Sequence, residues 1–385
     1  MVPGLAPLRD RRWEALAAAI GVTRLARLTG LDRSGVPVAA AIRPAGHVLQ
    51  VSNGKGETFA RAAAGALLEA AELWAAERPQ PAAFGSAAEL SRSVRLVTPA
   101  SLDPDAAGSE EIRIAWAAAR DLAGGERMLV PAHAVWCPPA GSAWLGPALV
   151  RWTSNGTGAH PEPSAALLHA LLEAVERDRV ARALPEGVTE REVARRLLDP
   201  GSLAAAAPRT ARWAERIAAR GLRVHLLDLS FPARSRAGRG ARRPRSGWEA
   251  GLPCAAALVV DPDGGPVPLA AGYACRLSRD AALLAALLEA AQSRLTEIHG
   301  AREDVAHGDR HAAAPLARWC ARARPSRRAS ALPHLAARTA AAGVRAVLAR
   351  LRRAGFAPAA VRLDGPPGVH VVRAVVPGLR LSELL

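Results

Sequence analysis

The chain has 385 residues and a formal net charge of +16, from 51 Lys and Arg against 35 Asp and Glu. That length allows one large domain or two packed subdomains. No apolar run is long enough for a membrane helix, and the first segment carries acidic and basic residues within its apolar stretch, unlike a signal peptide. The cysteines are far apart and form no C-x-x-C pair, so we expect a cytoplasmic protein without disulfides or structural zinc.

The excess of arginine does not by itself indicate a nucleic-acid partner. Positive charge attracts polyanions when it is clustered on a surface, and here it is spread over the whole chain except in two segments, 233–247 and 320–330. Neither segment has interleaved aromatic residues or a groove-binding motif, so both are predicted to be solvated loops. Binding of an acidic leader peptide by the first segment stays an alternative.

In chain order, the hydrophobic patterns alternate between strands and helices, which predicts an α/β chain. Residues 1–20 form a helical lead-in, and residues 21–385 form one domain in which 233–247 is an insertion loop. Strands are predicted at 36–42, 47–51, 127–135, 223–229, 255–260 and 369–375. Helices are predicted at 59–77, 163–184, 207–219, 280–299 and 334–354.

One heptapeptide occurs three times in these predicted helices. The copies are ALLEAAE at 66–72, ALLEAVE at 170–176 and ALLEAAQ at 286–292. Helical spacing places two polar residues of each copy on one face: Glu69 with Glu72, Glu173 with Glu176, and Glu289 with Gln292. Solvated helix faces would explain the pattern, since Ala, Leu and Glu favour helices. Carboxylates converging from separate helices would equally suit a hard dication such as magnesium.

The first two copies follow similar glycine-containing segments, SNGKG at 52–56 and SNGTG at 154–158. Such a turn before a helix can direct backbone N–H groups towards an anion. Lys55 is the only lysine in the chain and could reach a phosphate as a compact point charge, a role that arginine does not fill equally. The alternative is that Lys55 merely escaped the general drift towards arginine. Neither a Walker A loop nor a dinucleotide fingerprint is present.

These three segments, taken together, resemble the nucleotide-site segments of the YcaO superfamily. Residues 29–44 and 371–379 resemble the flanking strands of that family, so the resemblance extends from about 21 to 380. It implies a YcaO-like α/β fold, with mixed β-sheets and long helices in pseudo-symmetric halves around an ATP/Mg site, and 21–385 as its catalytic domain. It also implies an enzyme that uses ATP and Mg2+ to phosphorylate a backbone amide of a ribosomally made peptide.

The resemblance also implies site residues. The magnesium ligands would be Glu69, Glu72, Glu173 and Glu176. The residues at the nucleotide would be Ser154, Asn155, Arg177 and Arg294, with Glu289 and Gln292 beside them and with Ser52 and Lys55 as loop residues near the phosphates. Two positions depart from the family pattern: Gly65 replaces a serine and Ala165 replaces a glutamate, for which Glu162 is a conceivable substitute.

The reaction within the family is predicted from smaller features. The chain ends in PGLRLSELL rather than in the proline-rich tail of many azoline-forming members. Residues 30–44 and 66–77 are most similar to members found beside a TfuA-like protein, which implies thioamide formation from sulfide with that partner. Azoline formation and a non-catalytic peptide-binding scaffold remain alternatives.

No catalytic side chain can be assigned from the sequence. There is no G-x-S-x-G or H-E-x-x-H motif, and His160 and His299 are expected to be structural. The expected partners are a peptide or protein substrate, a TfuA-like protein and a second copy of the chain in a homodimer. No nucleic acid or membrane is expected.

Overall fold

The computed structural model describes residues 10–137, 143–231, 250–302 and 310–380. The arginine-rich segment 233–247 lies outside the described residues. The strands are Arg24–Arg27 (β1), Val38–Ile42 (β2), Val51–Lys55 (β3), Ala83–Gly85 (β4), Arg95–Leu96 (β5), Ile114–Asp121 (β6), Arg127–Pro131 (β7), Thr157–His160 (β8), Arg223–Asp228 (β9), Cys254–Val260 (β10), Leu269–Cys275 (β11), Ala359–Leu363 (β12) and His370–Val375 (β13). The helices are Arg11–Ile20 (α1), Phe59–Ala76 (α2), Ala87–Leu90 (α3), Pro99–Leu102 (α4), Pro163–Ala183 (α5), Glu190–Arg196 (α6), Leu203–Ala206 (α7), Pro208–Ala218 (α8), Arg279–His299 (α9), Arg310–Cys320 (α10) and Ala340–Arg353 (α11).

The strands form three sheets. Strands β1, β2 and β3 make one antiparallel sheet, and β9, β10 and β11 make another. Within the described ranges, the third sheet has seven strands in the order β5-β7-β6-β12-β13-β8, with β4 paired to β6, and they pair antiparallel except for β5 with β7. The predicted fold of mixed sheets and long helices is confirmed. None of the helices in the described part of the chain is long and apolar enough to cross a membrane.

The first SNG segment is a strand, which corrects its prediction as a turn. A strand was predicted at 47–51, whereas β3 covers Val51–Lys55 and pairs with β2 in register. Ser52 and Asn53 are therefore buried strand residues. The prediction failed because serine, asparagine and glycine have low strand propensity, which the packing of β3 against α2 outweighs.

In each of three strands, a glycine allows one helix to pack closely against the strand backbone. A Cβ atom on Gly54 would lie 2.0 Å from the Ala62 carbonyl oxygen and 2.2 Å from the Ala66 nitrogen of α2. Two other strand glycines meet the same pair of helix positions. Gly158 of β8 faces Ala166 and Ala170 of α5, and Gly272 of β11 faces Ala286 and Ala290 of α9. Each unit is thus a glycine-containing strand followed by the long helix that packs on it.

The three units contact one another in a cycle. Helix α2 of the first unit contacts β8 of the second, α5 of the second contacts β11 of the third, and α9 of the third contacts β3 of the first. The pseudo-symmetry expected for two halves of the chain therefore extends to a third unit. Polar side chains of α2, α5 and α9 come together where the three units meet, in a region called the cleft here.

Candidate functional site

Capping residues fix where the site helices begin. The Thr58 and Ser278 side chains accept hydrogen bonds from backbone N–H groups in the first turns of α2 and α9, and Pro163 occupies the first turn of α5. A left-handed Gly300, with φ of 64°, ends α9. These residues fix where each helix begins or ends, and therefore where its acidic residues lie relative to the cleft.

Three carboxylates form an acidic end of the cleft. Burial raises the pKa of Glu72 well above its ordinary value, and repulsion from Glu173 and Glu69 raises it further. Among the described residues, no cation lies within ion-pair distance of Glu72. Backbone N–H groups hold all three carboxylates: Asn53 donates to Glu69 at 2.7 Å, Ala159 to Glu72 at 2.7 Å, and Gly156 to Glu173 at 3.1 Å.

Cations line the opposite end of the cleft. The ion pairs are Lys55 with Glu289 at 2.6 Å, Arg177 with Glu173 at 3.1 Å and with Glu176 at 3.6 Å, and Arg276 with Glu176 at 3.8 Å. Burial raises the pKa of Glu176 to about 7, even though Arg177 lowers it. Burial would also raise the pKa of Glu289, but Lys55 and Arg177 together bring it below the ordinary value. The cleft is therefore polarised: Lys55, Arg177 and Arg276 pair with Glu176 and Glu289, whereas Glu72 has no cation within ion-pair distance in the described residues.

Arg294 is buried away from the open part of this cleft. Its guanidinium donates to Asp32 at 2.9 Å, to Asp261 at 2.9 Å and to the Val267 carbonyl oxygen. A nucleotide contact would require one of these bonds to open. The placement therefore favours a structural role, in which Arg294 ties α9 to the loops before β2 and after β10.

The other predicted nucleotide residues occupy different environments. Ser154 is exposed and Asn155 is half-buried in the turn that leads into β8, and Gln292 is half-buried on α9. Ser52 is buried on β3 and Lys55 ends the same strand, so neither is a loop residue. Only the second SNG segment therefore supplies the open turn that the sequence suggested for both.

The third heptapeptide copy is displaced by one helical turn. Ala290, not Ala286, stands where Ala66 and Ala170 stand in their units, because the distance from strand glycine to this alanine is 18 residues in the third unit and 12 in the other two. Glu289 consequently occupies the position of Gly65 and His169. The position of Glu72 and Glu176 is taken by Thr296, whose hydroxyl accepts a hydrogen bond from the Asn53 side chain at 2.9 Å.

Four cleft residues were missed by sequence reasoning. Arg276 follows β11, and Arg302 lies 3.6 Å from Glu69. His169 is exposed one turn before Glu173 on α5. Arg373 of β13 is buried beside β8. The position of His169 in the repeat was a usable signal, whereas the three arginines were indistinguishable from many others.

The carboxylates of the cleft offer only part of a magnesium coordination shell. In the described ranges, no group of three or more His, Cys, Asp or Glu side chains is arranged to hold a metal ion by itself. Magnesium, however, is commonly held by one or two carboxylates together with waters and substrate phosphates. Glu72, which lacks a cation and lies near two other carboxylates, fits such a partial site.

The two departures from the family pattern differ in consequence. A Cβ on Gly65 would have 3.6 Å to its nearest neighbour, so a serine at this position would fit without strain. Ala165 removes a carboxylate outright. Glu162 is exposed and precedes α5, three residues or about 4.5 Å along the helix axis before Ala165 at 1.5 Å per residue. Its use as a substitute for the missing carboxylate stays a prediction.

Comparison with known families explains this arrangement of carboxylates and glycine strands. The profile of the YcaO family, described as a cyclodehydratase that binds ATP and Mg2+, matches residues 53–380. The chain belongs to the YcaO family.

Its relatives and structural neighbours agree with this assignment. An uncharacterized protein of Methanothermobacter thermautotrophicus is 30% identical, over 95% of this chain and 91% of its own length. An uncharacterized protein encoded in the tfuA 3' region of Rhizobium leguminosarum bv. trifolii is 31% identical, over 74% of this chain and 64% of its own.

Solved structures show the same fold. The YcaO protein of Methanopyrus kandleri bound with AMPPCP and Mg2+ has a TM-score of 0.70 at 21% identity, covering 98% of this chain and 91% of that one. A heterocyclase in complex with substrate and cofactor has a TM-score of 0.69 at 20% identity. The alignment covers 94% of this chain but only 50% of the heterocyclase, so this chain spans half of that protein's length.

Proposed function

We propose that this YcaO protein uses ATP and Mg2+ to convert a backbone amide of a peptide or protein into a thioamide. Sulfide is the nucleophile and a TfuA-like protein is the partner. The polarised cleft is the observation that carries the proposal. A nucleoside triphosphate and a dication require both an acidic end and a cationic end, and the two are adjacent here.

The acidic end is assigned to magnesium. Glu69, Glu72 and Glu173 would hold the ion, with Glu176 at the boundary between the two ends, and bound magnesium would neutralise charge on the phosphate oxygens. Glu72 is fixed by the Ala159 N–H group, so its carboxylate is positioned before any ligand arrives.

The cationic end is assigned to the phosphates. Lys55, Arg177 and Arg276 converge there, and among the described residues their partners are carboxylates of the cleft or backbone oxygen. The turn bearing Ser154 and Asn155 is open to solvent and adjoins Glu173 through Gly156, so we place it at the nucleotide as well. Phosphoryl transfer requires mainly such positioning and charge neutralisation.

The proposed reaction needs no nucleophilic side chain from this protein. The sulfur of hydrosulfide forms a bond to the amide carbon, and the carbonyl π electrons move to oxygen. That oxyanion attacks the γ-phosphorus of ATP and ADP leaves. The C–O bond then breaks, phosphate departs with both bonding electrons, and a proton is lost as the carbon–sulfur double bond forms. The products are a thioamide, ADP and phosphate.

Two observations bear on the choice of nucleophile. The Rhizobium relative encoded in the tfuA 3' region supports sulfide and a TfuA-like partner. The description of the family as cyclodehydratases favours the second candidate, in which a Cys or Ser side chain of the substrate attacks and an azoline forms with loss of water. Loss of the carboxylate at Ala165 favours a non-catalytic scaffold.

The mass change in cellular proteins tests this choice directly. The chain would be co-expressed with a TfuA-like protein, and the proteome would be searched by mass spectrometry for backbone modifications, with Glu72→Gln as the inactive control. We expect an oxygen-to-sulfur exchange that disappears with Glu72→Gln.

The other outcomes would change the proposal. Loss of water at a Cys or Ser residue would establish the azoline reaction instead. Modifications that persist equally in the Glu72→Gln strain would contradict catalysis by this cleft.

A further inference from the structure

Arg373 is a buried cation with no carboxylate partner of its own. It lies on β13 opposite Thr157 of β8, and only 7% of its surface is exposed. Its guanidinium donates one hydrogen bond, to the Thr157 hydroxyl at 3.1 Å, and its Nε is buried without a partner. In the described part of the chain, no carboxylate lies within ion-pair distance of it.

Such a residue is costly for folding alone. Burial lowers the pKa of Arg373 to about 10, and the more distant Glu173 opposes this shift. A buried arginine without a paired carboxylate usually lowers stability, because its desolvation is not compensated. Its burial therefore suggests a function other than stability.

The surroundings of Arg373 indicate what that function is. The Ser154–Gly156 turn is held from both sides: the Gly156 N–H donates to Glu173 at 3.1 Å, and the Gly156 carbonyl accepts from Ala374 N at 2.8 Å. Arg373 adds its bond to Thr157, the next residue. The strand that carries Arg373 thus contacts the turn directly, and the turn contacts Glu173.

We propose that Arg373 is a positioning residue that holds the Ser154–Gly156 turn and balances the charge of Glu173 for nucleotide binding. The inference rests on the proposed function, since it assumes that the cleft binds magnesium and ATP. It predicts that Arg373 acts on the two ligands in opposite directions. A buried positive charge attracts the anionic nucleotide and repels the metal ion.

This sign difference separates charge balance from simple structural support. Arg373→Met removes the charge and keeps an unbranched apolar side chain. At saturating Mg2+, ATP should bind about tenfold more weakly, whereas the Mg2+ concentration that gives half-maximal ATP binding should fall about threefold, both measured by calorimetry. Arg373→Lys should restore both values towards wild type. Exposed Arg362 on the neighbouring strand β12 provides the matched control, Arg362→Met, which should change neither.

The outcomes separate the role of Arg373 from the proposed function on which that role rests. Equal ATP and Mg2+ affinities in wild type and Arg373→Met, or weakening of both ligands together, would overturn the role of Arg373 while leaving the proposed function intact. Absence of magnesium-dependent ATP binding in the wild type would overturn both. If Arg373→Met does not fold, Arg373→Lys and Thr157→Val decide: Thr157→Val removes the only acceptor and should weaken ATP binding without strengthening Mg2+ binding.

Discussion

Individual charges in the cleft are arranged for a ligand and not for the stability of the free protein. Glu72 receives one backbone hydrogen bond but faces Glu173 and Glu69, so its ionised form is unfavourable there. Lys55 is a positive charge arranged in the same way. It is the only lysine of the chain, and its compact ammonium group pairs with the Glu289 carboxylate at 2.6 Å between β3 and α9.

Neutralising Glu72 should therefore stabilise the free protein and impair its function. Glu72→Gln keeps an acceptor for the Ala159 N–H group and removes the repulsion, so we expect the free energy of unfolding to rise by about 1 kcal/mol in EDTA. Chemical denaturation measures this change. A lower stability of the variant would contradict the account of Glu72 as a strained ligand.

The sequence allowed some site residues to be predicted at this scale and not others. Glu69, Glu72, Glu173 and Glu176 were identified because they recur at fixed spacing on helices with clear periodicity. Arg276 reaches the cleft from the end of β11 and Arg373 is buried on β13 beside Thr157, and nothing local distinguishes them from other arginines. Their roles depend on tertiary contacts that a single sequence does not display.

At the scale of elements, close packing between glycine strands and helices determines the shape of the cleft. Gly54 and Gly65 make a matched pair across β3 and α2. A Cβ on Gly54 would lie 2.0 Å from a backbone oxygen, whereas a Cβ on Gly65 would make ordinary contacts beginning at 3.6 Å. Only Gly54 is required for steric reasons.

Alanine substitution at these two positions should give opposite results. Gly54→Ala should lower the free energy of unfolding by about 2 to 3 kcal/mol, because the strand and helix must separate. Gly65→Ala should be neutral or should stabilise by up to about 1 kcal/mol, since alanine favours helices. Thermal unfolding of both variants measures the difference. A stable Gly54→Ala protein would show that the units are not packed as described.

A second element-scale contact anchors the C-terminal end of α2. Glu77 accepts two hydrogen bonds from Arg43, at 2.6 and 2.5 Å, and further bonds from the His47 and Val48 N–H groups. Burial alone would raise the pKa of Glu77, but Arg43 and the backbone donors lower it overall. The pair holds the loop between β2 and β3 against the helix that carries Glu69.

The lowered pKa of Glu77 fixes the sign of its pH dependence. The folded protein binds fewer protons at this site than the unfolded chain, so the stabilisation is complete above about pH 4.5 and is lost as the pH falls. Glu77→Gln should cost about 3 kcal/mol at pH 7, because Arg43 is left buried without a counter-charge. The difference from wild type should shrink below about pH 4.5 in denaturation experiments.

The control for this prediction lies on the surface. Glu126 forms an exposed ion pair with Arg95, at 63% and 55% side-chain exposure. Glu126→Gln should leave the free energy of unfolding unchanged at both pH values. A Glu77→Gln cost that did not depend on pH would contradict the ionic explanation.

For the whole molecule, the positions of the long helices were predicted from the sequence better than the packing of these helices against the strands. The periodic stretches of α2, α5, α8 and α9 were placed within about two residues of their observed ends, while strands rich in glycine and alanine, such as β8 and β11, were missed. The one-turn displacement of the third heptapeptide could not be seen either. It follows from the longer path between Gly272 and Ala290, which only the packed structure displays.

The same cyclic packing brings charged side chains of the three helices together at one place and buries their alanine-rich faces elsewhere. Each helix contributes residues to the cleft on one side and small residues to a strand on the other. Whether two copies of the chain assemble stays a prediction, and sedimentation at several concentrations would measure it.

The central claim is that the carboxylate cleft binds ATP together with Mg2+. Calorimetry of wild type and Glu173→Gln with ATP, with and without Mg2+, tests it most directly, and Glu126→Gln serves as the surface control. The account predicts magnesium-dependent binding to wild type and to the control, and at least about tenfold weaker binding to Glu173→Gln. Equal affinities for wild type and Glu173→Gln, or no magnesium-dependent binding by the wild type, would contradict the claim.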